Sequence, residues 1–575
     1  MGHDAISDDR DPHQSTKDLN RRRFMQWTGA VGAALGLSGT SEALALASKG
    51  TTALTAQQKA SRFLAQSTFG GDLTLINEVT DTGIANWLDA QMALPPSYLS
   101  LDVDTLLAAT SEEGDQYFYF DWIWWQRAMT APDQVRLRVA FALSQIFVVS
   151  RTIEEIFDTT DPLTSYHDLL MRHAFGNFRD LLRDIALHPA MGIYLSHAAN
   201  RKSDPSLNRF PDENFAREVM QLFTIGLFEL NSDGSQKLDP QGQPIPTYDN
   251  ADITEMAKIF TGLTWAPEFP DEPIEFGEPT NWGLPMVMYE PEHEPGPKTP
   301  LGSTVPGGQT GMQDIEAAID ILFNHPNVGP FIGRLLIQRL VTSNPSPAYV
   351  ARVAARFDDN GSGVRGDMRR VIRTILLDPE ALDDTHIDDP HFGKVREPFT
   401  RWVQLGRAFH ATSPSGKFRH FGIGEPGEPE DIGDYGPLAQ YPFFSPSVFN
   451  FYSPNHQPAG ALANADLVAP ELEIVHSYTA VATMNHYHRA IHEGDYILDI
   501  EDFVGLDLST EIALAASNPT ALVDHLDLLL TYGTLSTTSR QTILDAILPL
   551  SEEPEDQVLM ALFLMVTCPE YAVQR

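Results

Sequence analysis

Apolar residues recur at helical spacing through most of this chain, and each run opens and closes on its own signals. The pattern predicts helices over Thr55–Phe69, which stops at Gly70-Gly71, and over Leu73–Val79 and Gly83–Met92, broken at Pro95-Pro96. Gln134–Val149 reads as a strongly apolar helix with Arg136 and Arg138 near its start, and His167–Leu187 as one long helix carrying Arg172, Arg179 and Arg183. Further helices are predicted over Asp249–Thr261, Met312–Asn324, Val328–Val341, Ala348–Phe357, Met368–Leu377, Val395–His410 and Val558–Thr567. Strand-like alternation is scarce. The expected fold is therefore mainly α, a large multi-helix globular body with long Pro/Gly-rich ordered loops and at most a small hairpin.

Three stretches interrupt the helical pattern, at 231–248, 266–310 and 412–465. Asn231-Ser-Asp-Gly opens the first like a calcium loop, but Gly242 stands where the twelfth-position carboxylate belongs, so a turn on Asp233-Gly234 is expected instead. The expected organisation is a leader over 1–47, a main helical domain over 48–465 carrying these insertions, and a C-terminal helical segment over 466–575 packed on the same body. No apolar run reaches the roughly 20 residues of a membrane-spanning helix.

One helix carries an unusual polar set. Pro211 and Asp212 mark its start and Gly226 its stop, and at about 100° per residue Glu213, Arg217, Gln221, Asn214 and Glu218 fall along one arc. Phe215, Ala216, Val219, Met220, Leu222 and Phe223 cover the other side. Such an arc reads either as a wet face or as a polar site able to satisfy itself, grip a ligand or coordinate a hard divalent cation. A second polar set, His293, Glu294 and Lys298, lies in His293-Glu-Pro-Gly-Pro-Lys-Thr-Pro-Leu-Gly302, whose prolines and glycines restrict the path and hold these side chains close. The aromatic run Phe443 to His456 reads as an anchor for packing or for binding.

Composition narrows the partners. The formal net charge of −39 opposes nucleic acid and anionic membranes. Arg21-Arg22-Arg23-Phe24-Met25-Gln26, a weakly apolar run to Leu37 and small residues at Ala43, Ala45 and Ala47 predict twin-arginine export, giving a periplasmic or secreted protein. Without residues 1–47 the balance is still −38, so the acidity belongs to the folded body. A lone cysteine, Cys568, excludes an intrachain disulfide, a Cys-based iron–sulfur or zinc site and covalent haem attachment. No nucleotide-binding fingerprint appears. The cofactor question stays open.

The chain resembles the bacterial family called "domain of unknown function 1800". The residues that carry the resemblance are Glu213-Asn-Phe-Ala-Arg-Glu218 with Gln221-Leu-Phe-Thr-Ile-Gly226, Asp252-Ile253 through Phe260-Thr-Gly262, and His293–Gly302. Lys394-Val-Arg-Glu-Pro398, Pro446-Ser-Val-Phe-Asn450 and the closing Pro569-Glu-Tyr571 continue it in order. The resemblance implies a largely helical, frequently exported protein whose genes often neighbour those of the sulfatase-like family "domain of unknown function 1501". One departure stands out: where many relatives have a Trp-His-x-His-type element, this chain has Phe141-Ala-Leu-Ser144-Gln145, which weakens a metal site built on those histidines.

Two functions are compatible with these residues. The first is a hydrolase acting on an extracytoplasmic polymer or its fragments, metal-assisted or not. Glu213 and Glu218 would be its acid/base or cation-binding carboxylates and His293 its proton shuttle. Asn214, Arg217, Gln221 and Lys298 would then contact substrate. The second is a non-enzymatic exported partner of a sulfatase-like protein or a cell-surface component, with the charged residues forming a buried network. Convergence decides between them, since an enzyme needs the 293–302 loop over the 213–221 helix face.

Overall fold

The computed structural model describes residues 53–109, 119–157, 160–414, 416, 418, 438–493 and 504–575. The expected leader and parts of the 412–465 and 466–575 segments lie outside the described residues. What is described is mainly helical, with two small two-stranded sheets.

Local chemistry accounts for many helix ends. Thr55 with Gln58, Asp249 with Asp252, and Thr310 with Gln313 form reciprocal capping boxes that satisfy first-turn amides. Ser346 and Asn518 cap helices whose first residue is proline. The single helix expected over His167–Leu187 is two, Asp161–His173 and Phe178–Ala186, because the Asn177 side chain accepts from Arg179 N and starts a new cap. The apolar period runs through that break and hides it. Likewise the helix expected from Val395 begins at Pro398, since Lys394–Val395 pairs as a strand with Val573–Gln574.

One hydrophobic core runs from Ala60 in the first described helix to Tyr571 near the end. The first helix, Ala56–Ser67, packs on Pro519–Thr531, where Ser61 Oγ donates to Leu528 O at 2.6 Å. Gln404 Nε2 in the Pro398–Ala408 helix donates to Leu529 O. Residues 504–575 therefore share the interior of the main body. Among the described residues, no helix is long and apolar enough to cross a membrane.

Two glycines fix how the polar segments dock. Gly226, at φ 70°, ends the turns after the Asn214–Gln221 helix, and a Cβ there would meet the Phe331 ring at 2.8 Å. Gly262, at φ 84°, lets the 288–293 segment close onto the 260–264 segment. A Cβ there would lie 3.0 Å from both Tyr289 O and His293 N.

Candidate functional site

Glu213 sits at the start of the Asn214–Gln221 helix, half-buried, 3.6 Å from Arg217 and accepting from Thr254 Oγ1 at 2.8 Å. Asn214 is exposed, and Gln221 accepts from Tyr248 OH at 3.2 Å. Glu218 differs from the rest of the arc. It is 6% exposed, and its Oε2 has no hydrogen-bond partner among the described residues. Burial raises the Glu218 carboxyl pKa, and the adjacent Arg217 only partly offsets this.

His293 and Lys298 come together, as their rigid loop implies, but around a third residue. Asp314 in the Gly311–Phe323 helix has its Oδ2 3.0 Å from His293 Nε2 and accepts from the Lys298 ammonium. The side chains of all three are no more than 3% exposed. His293 Nδ1 lies 2.9 Å from Thr261 O, Glu294 N donates to Thr261 Oγ1, and Gln309 Nε2 donates to Asp314 Oδ1 at 2.6 Å. Lys298 Nζ also reaches Glu294 O and, at 3.2 Å, His293 Nε2. Both ring nitrogens of His293 and the Lys298 ammonium are engaged inside the set, Nδ1 at Thr261 O, Nε2 at Asp314 Oδ2 and Lys298 Nζ, and Nζ at Asp314, Glu294 O and His293. His293 then has no nitrogen left to exchange a proton with a ligand.

The two polar sets do not meet. The Asn250–Ile259 helix lies between them, taking Glu213 through Thr254 on one side, while Leu301 N donates to Asp252 and Thr299 N to Glu255 on the other. Among the described residues, no hydrogen bond or ion pair joins 213–221 to 293–302. A cleft of about 660 Å³ opens elsewhere, lined by Asp72, Trp87, Gln134, Arg407 and His410, with no residue of either set. Among the described residues, no group of three or more His, Cys, Asp or Glu side chains is placed to hold a metal ion.

A third polar cluster escaped the sequence reading. Glu397, 1% exposed, accepts at one oxygen from Gln145 Nε2 at 2.5 Å, Tyr452 OH at 2.5 Å and Gln440 Nε2 at 3.1 Å. Burial opposes its charge, but Lys394 and Arg138, with the hydrogen bonds from Tyr452 and Gln440, hold the carboxyl below its usual range. Lys394 pairs with Glu471 at 3.0 Å, and Arg339 stacks over Tyr452 at 4.5 Å. The signal was present in one place, the charged residues inside the Lys394–Pro398 motif. Near it, the 443–456 run is used largely for packing. Arg151 N donates to Phe443 O and its guanidinium faces the Tyr441 and Phe444 rings, although Phe449 stays 56% exposed.

These features define a mainly α protein with sets of charged side chains buried in its interior. A family model described as "Protein of unknown function (DUF1800)" matches residues 62–573, and the chain belongs to that family. A search of curated proteins found no match, and a search of solved structures found none.

Proposed function

We propose that this is an exported, non-enzymatic binding protein whose partner is a sulfatase-like protein of the "domain of unknown function 1501" family. The observation that carries the reading is the closed His293–Lys298–Asp314 set, whose donors and acceptors are consumed internally and sealed from solvent. A catalytic acid, base or anion clamp needs a free atom facing substrate, whereas a buried ionic set fixes one arrangement of its surroundings. A second observation supports binding. The 201–210 loop is braced by Arg201–Glu292 at 3.0 Å, Arg209–Glu292 at 3.5 Å and Ser203 N to Glu294, and it holds Leu207 and Phe210 69% and 67% exposed. Large apolar side chains on a preorganised loop are the kind of anchor that binding energy concentrates on. The test is titration calorimetry of the chain with the exported sulfatase-like protein of the same organism. Leu207→Asp and Phe210→Asp are expected to weaken the complex at least tenfold each, and unchanged affinity in both sinks the assignment of this loop.

Glu218 supports a second reading, hydrolysis of an extracytoplasmic polymer with this carboxyl as general acid. A desolvated carboxyl with a raised pKa is suited to donate a proton near neutral pH. On that reading Glu218→Gln abolishes polymer cleavage without loss of stability. An unchanged rate removes it.

A further inference from the structure

The third cluster encloses a small cavity of about 10 Å³, lined by Arg138, Lys394, Arg396, Thr68, Thr400 and Gln574, with Ala65 and Phe69 closing it. That is room for one water-sized species. The three cations are 3%, 3% and 5% exposed, so their charges are carried deep in the interior.

Their hydrogen bonding is incomplete in a consistent direction. Arg138 Nη2 donates to Arg339 O at 2.6 Å, but Nη1 is buried with no partner among the described residues. Lys394 Nζ donates to Arg339 O and to Glu471 Oε1, both at 3.0 Å, which leaves one ammonium proton unspent. The Arg396 guanidinium lies over the Tyr571 ring at 5.0 Å, with no hydrogen bond from its side chain to the described residues. The neutral donors of the lining are already taken by backbone carbonyls: Thr68 Oγ1 by Leu64 O, Thr400 Oγ1 by Glu397 O, and Gln574 Nε2 by Leu340 O and Val341 O. The side-chain N–H groups of the lining left without a partner among the described residues are cationic.

Charge balance points the same way. Among the described residues the buried network holds Arg138, Arg339, Lys394 and Arg396 against Glu397 and Glu471, which leaves two positive charges in excess inside a chain of net charge −39. A water would complete hydrogen bonds and leave that excess uncompensated, at a cost that buried charges rarely bear. We propose that the cavity holds a single monatomic anion, chloride in the exported protein, bound by Arg138, Arg396 and the third proton of Lys394. The anion would tie the Gln134–Ser144 helix to the strand formed by Lys394–Val395 and Val573–Gln574.

The test uses the purified chain, refolded from urea in sodium gluconate so that no halide is carried over. The urea midpoint is followed as sodium chloride or bromide replaces gluconate at constant ionic strength, which holds general screening of the acidic surface fixed. A saturable rise in midpoint with either halide is expected, and midpoints that ignore the replacement overturn the proposal. Arg138→Gln is expected to flatten the halide response. Should that variant not fold, crystals of the wild type grown in sodium bromide decide the matter. A bromine anomalous peak bounded by Arg138, Lys394 and Arg396 is expected, and an anomalous map empty there refutes the site.

Discussion

Replacing Lys298 with methionine keeps the length of the side chain and deletes one charge from the sealed set. The ammonium is 1% exposed, so no water substitutes for it. Asp314 keeps the Gln309 amide at Oδ1 and the His293 Nε2 contact at Oδ2 but loses its buried cation, while Glu294 O and His293 Nε2 lose the ammonium. Removing one partner of a buried pair costs about 3–5 kcal/mol, because the other charge stays buried and unpaired. Urea denaturation followed by circular dichroism reads this as a lower midpoint at unchanged slope. Lys298→Met with Asp314→Leu removes both charges, and the double variant should regain most of the loss, a non-additivity that measures the coupling directly. A loss below about 1 kcal/mol for Lys298→Met would match a solvent-exposed pair and refute the reasoning.

Three further outcomes follow from the same interior. Glu218 has a folded pKa raised above its ordinary 4.5, so the folded state binds more protons than the unfolded state above that value, and stability is lost as pH rises through the window. Glu218→Gln removes the penalty, and its midpoint should exceed the wild type at pH 7 and converge with it below pH 4.5. Burial lowers His188 and His486 to about 3 and His197 and His488 to about 4 from 6.5, so the unfolded state binds more protons and stability falls as pH drops below 6.5. Each contributes a slope of up to about 1.4 kcal/mol per pH unit. His486→Phe, replacing a ring whose nitrogens have no partner among the described residues, should shallow that acid limb, and an unchanged limb counts against a neutral buried His486. Cys568 is 8% exposed with a thiol pKa raised by burial, so Ellman's reagent should label it only after unfolding, and rapid labelling of the native chain contradicts the packing of the closing helices.

Helix positions were legible where a cap and an apolar period agree, as at Thr310–Gln313 and Ser346–Pro347. They were obscured where the period ran on through a new cap at Asn177, and where Lys394–Val395 found its strand partner at the far end of the chain. The closeness of His293 and Lys298 was legible in their restricted loop. Asp314 was not, because nothing local ties the first turn of one helix to a loop preceding it. Glu218 read as part of a polar arc that was either a wet face or a site, since helical spacing says which residues share a face and not which face a neighbour covers. Glu397 and Lys394 stood inside a motif already noticed, but their meaning depends on Gln145, Gln440 and Tyr452, which tertiary packing alone brings together.

The binding account stands or falls most directly on sedimentation velocity of the wild-type chain mixed with the exported sulfatase-like protein at micromolar concentration. The account predicts one faster species containing both chains, formed equally by Lys298→Met with Asp314→Leu. Two independently sedimenting species, together with cleavage of an extracytoplasmic polymer that disappears in Glu218→Gln, would contradict it and hand the function to the hydrolytic reading.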